Sequence, residues 1–364
     1  MPAKSPSYRG CLLGLAAGDA MGYSADKKTW EEICRDYGPN GLLGYDLADG
    51  NADVTSYTQL AVFLTNGLLL GLFQKKPDTY AGYVSLAIRE WVNSQQAHLN
   101  PEKTRCWVAQ VPCLRRRLCM DTRMPDVLRR RIAGQPEYLI PSVTPGALTE
   151  AVGIALCADA GGMSEAQAGD LTARAIGLTH RDPKVWLSGI CLCYALMRIL
   201  RTPDASLPDV FTDTLDALTE AYPTHPEATG AIRDAVTRAL TLTRDGALSP
   251  LVAMTMLECT DAVSCVAGAV YAACIHPGNF DEAMIVSVNH SGRSAAVAAI
   301  TGAILGARLG EDGIPDFYTE SPEVCPYLRQ LGKDLSQPLP EDRIFDDSWD
   351  QKYVQGVPVL DGDI

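Results

Sequence analysis

The polar chemistry open to this 364-residue chain rests on its carboxylates, histidines, arginines and thiols, and their neighbours restrict what each is fit for. Asp19 stands in a Gly-Asp-Ala step at the end of an apolar stretch, where a carboxylate satisfies a helix end, pairs with a cation or meets a ligand. Asp26 falls in a polar segment and is either solvated or turned toward a ligand. His290 is a general base by type, yet no Ser, Cys or Asp partner stands at a spacing that would activate it. His180, after Thr179 and before Asp182 and Pro183, reads as part of a helix start with a capping or packing role. The triplets Arg115–Arg117 and Arg129–Arg131 lack interleaved aromatics and read as a solvated helix face or salt-bridging surface. The twelve cysteines are spread along the chain, with Cys191 and Cys193 the nearest pair and no zinc-type spacing, which predicts reduced thiols and no structural zinc.

The elements that must carry these groups read as helices. Tyr8 to Ala20 is apolar with Gly14 and Gly18 interspersed, the pattern of a buried helix in close contact with its neighbours. A polar loop over Gly38 to Thr55 gives way to an apolar segment capped by Thr55 or Ser56 and running to Leu72. Further helical patterns cover Tyr80 to Ser94, Pro145 to Ala160, Ser164 to Gly177, Lys184 to Arg201, Val210 to Ala221, Pro226 to Asp245, Asp261 to Cys274 and Asp281 to Val288. Ser294 to Leu309 is rich in Ala and Gly, which permits close backbone approach before the stop at Gly310. The stretch from Pro101 to Pro145 is the least periodic and reads as short helices and loops. Little of the chain looks like strand, so the expected fold class is all-α. Residues 1–337 are expected to form a single helical domain, with 338–364 an acidic, proline-containing tail packed on it.

A formal charge of -13 repels phosphate backbones and argues against nucleic acid as a partner. Apolar runs such as Leu68 to Phe73 and Ala295 to Leu305 are shorter than the roughly 20 residues that cross a bilayer, so a membrane role is not expected and a cytoplasmic location is.

Three segments in order resemble the ADP-ribosylglycohydrolase family: RGCLLGLAAGDAMGYSAD at Arg9 to Asp26, VTSYTQLAVFLTNGLL at Val54 to Leu69, and VNHSGRSAAVAAITGAILGARLGEDGIP at Val288 to Pro315. A weaker fourth, Ile176 to Leu196, is similar to the family's Thr-His helix start. The resemblance implies an orthogonal multi-helix bundle with a central cleft, in which two magnesium ions orient an ADP-ribosyl group and activate water for hydrolysis at ribose C1. Magnesium demands hard oxygen ligands, and the family supplies four aspartates from the second and third segments. Here Ser56 and Tyr57 stand at the first two of those positions, and Arg293 and Ala295 at the other two. Asp19 and Asp26 survive, Asp26 standing where the family has a glutamate that touches metal or substrate.

These substitutions imply that the binuclear magnesium site is lost and that no metal cofactor remains. The expected ligand-binding residues are Asp19, Asp26, Ser56, Tyr57, His290, Ser291, Gly292 and Arg293, with Asp26 the one catalytic candidate. Arg293 brings a permanent cation to a formerly cation-binding place and needs Asp19, Asp26 or a ligand phosphate as partner unless it turns to solvent. Tyr57 either fills the vacated cavity or stacks on a base. The leading functional expectation is a catalytically inactive family member that binds an ADP-ribose-like small molecule or an ADP-ribosylated protein. One alternative is a metal-independent hydrolase with Asp26 or Asp53 as base and Arg293 on the diphosphate. The other is a structural or protein-interaction role with the cleft plugged by side chains such as Tyr57.

Overall fold

A computed structural model describes residues 4–47, 51–73, 77–95, 104–135, 138–337 and 347–360. Among them are seventeen α-helices and no strand, only an isolated bridge between Ile140 and His180. The fold is all-α, as the sequence predicts. In chain order the first six are α1 (Ser5–Tyr23), α2 (Trp30–Tyr37), α3 (Ser56–Phe73), α4 (Tyr80–Ser94), α5 (Met124–Ile132) and α6 (Glu150–Ala160). Then come α7 (Glu165–Ile176), α8 (Pro183–Arg201), α9 (Leu207–Ala221), α10 (Pro226–Leu242), α11 (Pro250–Leu257) and α12 (Ala262–Ile275). The last are α13 (Phe280–Val288), α14 (Ser294–Leu309), α15 (Asp316–Glu320), α16 (Cys325–Ser336) and α17 (Asp347–Tyr353).

The antiparallel pair α1 and α14 is the axis of the fold. Gly10, Gly14, Gly18 and Gly22 recur every fourth residue and so share one face of α1. Ser294, Ala298, Gly302 and Gly306 do the same on α14. A Cβ added at Gly14 would collide with the Gly302 carbonyl, and one at Gly18 with that of Ala298. Backbone therefore meets backbone along the whole seam. This close approach brings the C-terminal end of α1 against the start of α14. The helix is longer than the expected Tyr8 to Ala20 because Pro6 is tolerated in a first turn, where its missing N–H has no partner to lose.

Around this axis α3 packs on α4 and α6, α8 on α6 and α7, α12 on α10 and α14, and α16 on α1. Helix α8, with a mean hydropathy of 1.3, is the one described helix long and apolar enough to cross a membrane, but 78% of that window is buried inside the fold. The expected helix over Pro145 to Ala160 is split: a 3-10 turn at Pro145–Ala147 precedes α6. Thr149 at the break donates its hydroxyl to the Tyr57 carbonyl at 2.7 Å. Of the tail, 338–346 and 361–364 lie outside the described residues. The part between them opens with α17, whose buried Lys352 pairs with Asp334 of α16 at 2.9 Å.

Candidate functional site

Several helices carry their caps in local sequence, as in the Thr29 and Glu32 capping box of α2 and the Asp182 cap of α8. Helix α3 has the local cap expected of Thr55, whose Oγ1 accepts from Tyr57 N at 3.2 Å, and a second one from another element. Asp19 of α1 is fully buried and receives four hydrogen bonds from the start of α3. Its Oδ2 accepts from Thr55 N at 2.8 Å, Thr58 N at 3.0 Å and Thr58 Oγ1 at 2.7 Å, while Oδ1 accepts from Thr55 Oγ1 at 2.6 Å. Burial pushes the carboxyl up to about 6 in spite of these donors.

Asp26 serves α14 in the same way. Its Oδ1 accepts from Ala295 N at 3.3 Å, and its Oδ2 accepts from Arg293 Nε at 3.3 Å. A guanidinium at a helix N-terminus opposes the helix dipole, so the adjoining carboxylate compensates both. Arg293 thus turns inward, with its side chain 12% exposed and that of Asp26 only 4%. Burial raises the Asp26 pKa, while Arg293 and the Ala295 N–H pull it back. Tyr57 is fully buried beside this pair. Its Oη and Arg293 Nη2 are both enclosed without a hydrogen-bond partner. Replacing Arg293 by Met should cost about 3 kcal/mol, because Asp26 loses its cation while remaining in a low-dielectric place. The double variant Asp26→Ala/Arg293→Met should cost less than the sum of the single changes in urea unfolding. Additive losses would show that the pair is not coupled.

Above the pair opens a cleft of about 390 Å3 lined by Asp26, Lys27, Arg123, Asp121, Thr144 and Arg293, with Tyr23 at its edge. One wall is the segment Cys119 to Arg123, which has no helical periodicity and lies in the stretch read as short helices and loops. Ser56 holds it: Ser56 N donates to the Leu118 carbonyl at 2.8 Å and Met120 N donates to Ser56 Oγ at 3.0 Å. Arg123 grips Asp121 with Nε at 2.9 Å and Nη2 at 2.7 Å, and donates through Nη1 to Ser142 Oγ at 2.9 Å. Thr144 Oγ1 donates to Asp121 Oδ2 at 2.7 Å and stands 3.0 Å from His180 Nε2. Burial raises Asp121, but Arg123 and Thr144 win and hold it down to about 2, and burial lowers His180 to about 4, so His180 is neutral. Neither Asp121 nor Arg123 stood out in the sequence, since no local pattern joins residues 121, 144 and 180.

Of the residues expected to bind ligand, Asp26 and Arg293 line the cleft. Asp19, Ser56 and Tyr57 lie beneath it as buried supports. His290 is buried, with Nε2 3.0 Å from the Ser287 carbonyl and burial lowering its pKa to about 4. Ser291 Oγ accepts from Trp30 N at 2.7 Å, and the Gly292 carbonyl accepts from Lys27 N at 2.9 Å. Asp53 is ion-paired with Arg116.

The all-α bundle thus brings the N-termini of α3 and α14, with the carboxylates of Asp19 and Asp26, to one polar cleft. The chain belongs to the ADP-ribosylglycohydrolase family, whose sequence profile matches residues 2–344. A solved ADP-ribosylglycohydrolase-related protein complex shares the fold at a TM-score of 0.55 and 19% identity, the match covering 93% of this chain and 100% of that one. Comparison with curated proteins gives no significant match. The residues present do not fit the family's magnesium pair. Ser56 is committed to the loop, Tyr57 is enclosed, Arg293 places a cation at the site, and Ala295 offers no side-chain ligand. Among the described residues no group of three or more His, Cys, Asp or Glu side chains is arranged to hold an ion.

Proposed function

We propose that this chain binds an ADP-ribose-like ligand, free or carried on a protein, and does not hydrolyse it with magnesium. The observation that carries this reading is the charge reversal at the start of α14, where Arg293 paired with Asp26 occupies a place at which the resemblance implies a metal-binding aspartate. A bound divalent ion would meet a guanidinium there, and Ser56, Tyr57, Arg293 and Ala295 stand at the four positions where the resemblance implies aspartates. The cleft nonetheless remains open at Asp26 and Arg293, and its volume of about 390 Å3 falls within the ~300–1,000 Å3 of small-molecule sites. Against a metal-independent hydrolase stands the engagement of both candidate bases, Asp26 by Arg293 and Asp53 by Arg116.

Calorimetric titration with ADP-ribose, in magnesium and in EDTA, tests the reading together with an assay on ADP-ribosylated arginine and serine peptides. Equal affinity in both buffers and no release of ADP-ribose are expected. Magnesium-dependent release would overturn the reading, release in EDTA would move the assignment to a metal-independent hydrolase, and no binding in either buffer would leave the interaction role.

A further inference from the structure

The cleft is cationic on a molecule that is not. Three cations, Lys27, Arg123 and Arg293, line it against two carboxylates, Asp26 and Asp121, in a chain with a formal charge of -13. Each carboxylate is taken by an arginine, Asp26 by Arg293 and Asp121 by Arg123. The Lys27 ammonium donates no hydrogen bond among the described residues and acts on Asp26 only through its charge. Of the three cations it is the one that no carboxylate holds by a hydrogen bond, while Arg293 keeps Nη2 unpaired, in a cleft whose walls concentrate their field.

The backbone around it is strained in one place. Among the described residues three that are not glycine have positive φ: Lys27 at 65°, Glu258 at 62° and Cys259 at 51°. All three converge on Gly292 and Arg293. Lys27 N donates to the Gly292 carbonyl at 2.9 Å, and Arg293 N donates to that of Cys259 at 2.8 Å. The Cys259 and Glu258 carbonyls would lie 2.7 and 3.0 Å from a Cβ at Gly292. Left-handed backbone at a non-glycine residue costs about 1 kcal/mol or more, and it persists where surrounding structure holds a side chain in a particular direction. The left-handed position at the lip of the cleft is thus filled by a lysine although a glycine there would be less strained.

We infer that Lys27 grips the anionic oxygens of a diphosphate, with Arg293 and Arg123 completing the cationic wall, so that the ligand is recognised through phosphate rather than through magnesium-bridged ribose. The inference rests on the proposed ligand class and narrows it to nucleoside diphosphates and their sugar esters. Each charge-assisted hydrogen bond to phosphate is short and strong, and its loss should be large.

The probes are inorganic pyrophosphate, ADP and adenosine, each titrated into the full chain in EDTA. Pyrophosphate and ADP should bind and adenosine should not. Lys27→Gln should weaken pyrophosphate binding about tenfold or more. Lys28→Gln removes the same formal charge next door, from a lysine already paired with Asp36 at 3.0 Å, and should change affinity less than about twofold. Lys27→Gly should relieve the backbone, holding or raising the Tm, while losing affinity as Gln does; this separates grip from strain. Pyrophosphate that fails to bind, or binds equally to the Lys27 variants and wild type, overturns the inference. ADP-ribose binding that ignores Lys27 would refute the phosphate grip and leave the broader functional reading standing. Lys27-dependent pyrophosphate binding without ADP-ribose binding would do the reverse.

Discussion

Gly14→Val should leave little folded protein. The Gly14 position on α1 faces the Gly302 carbonyl of α14, so the added carbons meet main chain that no rotamer change can move aside. Overpacking of an ordinary core costs about 1–3 kcal/mol, but there side chains can shift. Here the two helices must separate along the seam, which undoes the contacts at Gly10, Gly18 and Gly22 together, and a loss of at least about 4 kcal/mol is expected. That is most of the margin of a domain whose stability is on the order of 5–15 kcal/mol. Gly82→Ala on α4 and Gly230→Ala on α10 are the controls. A Cβ at either meets nothing within 4 Å, so each should be neutral or stabilise by up to about 1 kcal/mol through helix propensity. Urea unfolding of the three variants checks this; a Gly14→Val protein within about 1 kcal/mol of wild type would show that the seam is not a close backbone contact.

The seam also explains what could be read before the fold was known. Gly14 and Gly18 among apolar residues and the Ala- and Gly-rich run over Ser294 to Leu309 both announce close approach, because only small side chains permit it. Which two helices approach is not local information, and the recurrence at Gly10 and Gly22 gains its meaning only from the partner. The chemistry at the cleft divides the same way. The loss of aspartates at Ser56, Tyr57, Arg293 and Ala295 is visible residue by residue against the family's pattern. That Asp19 caps α3 and Asp26 caps α14 depends on where α1 ends in space. Short helices such as α2, α11 and α15 were not anticipated either, since five to eight residues give too few turns for periodicity to show. Arg123 and Asp121 went unread because their partners Ser142, Thr144 and His180 come from other segments.

Asp19 should be the most costly side chain to remove from the floor of the site, and the form of its replacement should matter more than its charge. Asp19→Ala strands two backbone N–H groups and two hydroxyls at the buried start of α3, and a loss of about 4 kcal/mol is expected. At pH 4, where Asp19 holds its proton, Asp19→Asn should cost about 1 kcal/mol or less. Three of the four donors converge on Oδ2 and one hydroxyl, that of Thr55, faces Oδ1. An amide oriented with its oxygen toward the three keeps them, and the Thr55 hydroxyl rotates from donor to acceptor for the amide nitrogen. A protonated Asp19 can use the same arrangement, and burial raises the carboxyl to about 6 although the four donors pull it down. The sign of the pH dependence follows. Because the folded state holds this proton more tightly than the unfolded chain, stability from this group is fully present below pH about 4 and is lost as pH rises to about 6. Asp19→Asn cannot titrate there. Its stability relative to wild type should therefore improve from pH 4 to pH 7, by up to about 3 kcal/mol. A constant difference across that range would mean that Asp19 is ionised throughout and that its four donors outweigh its burial.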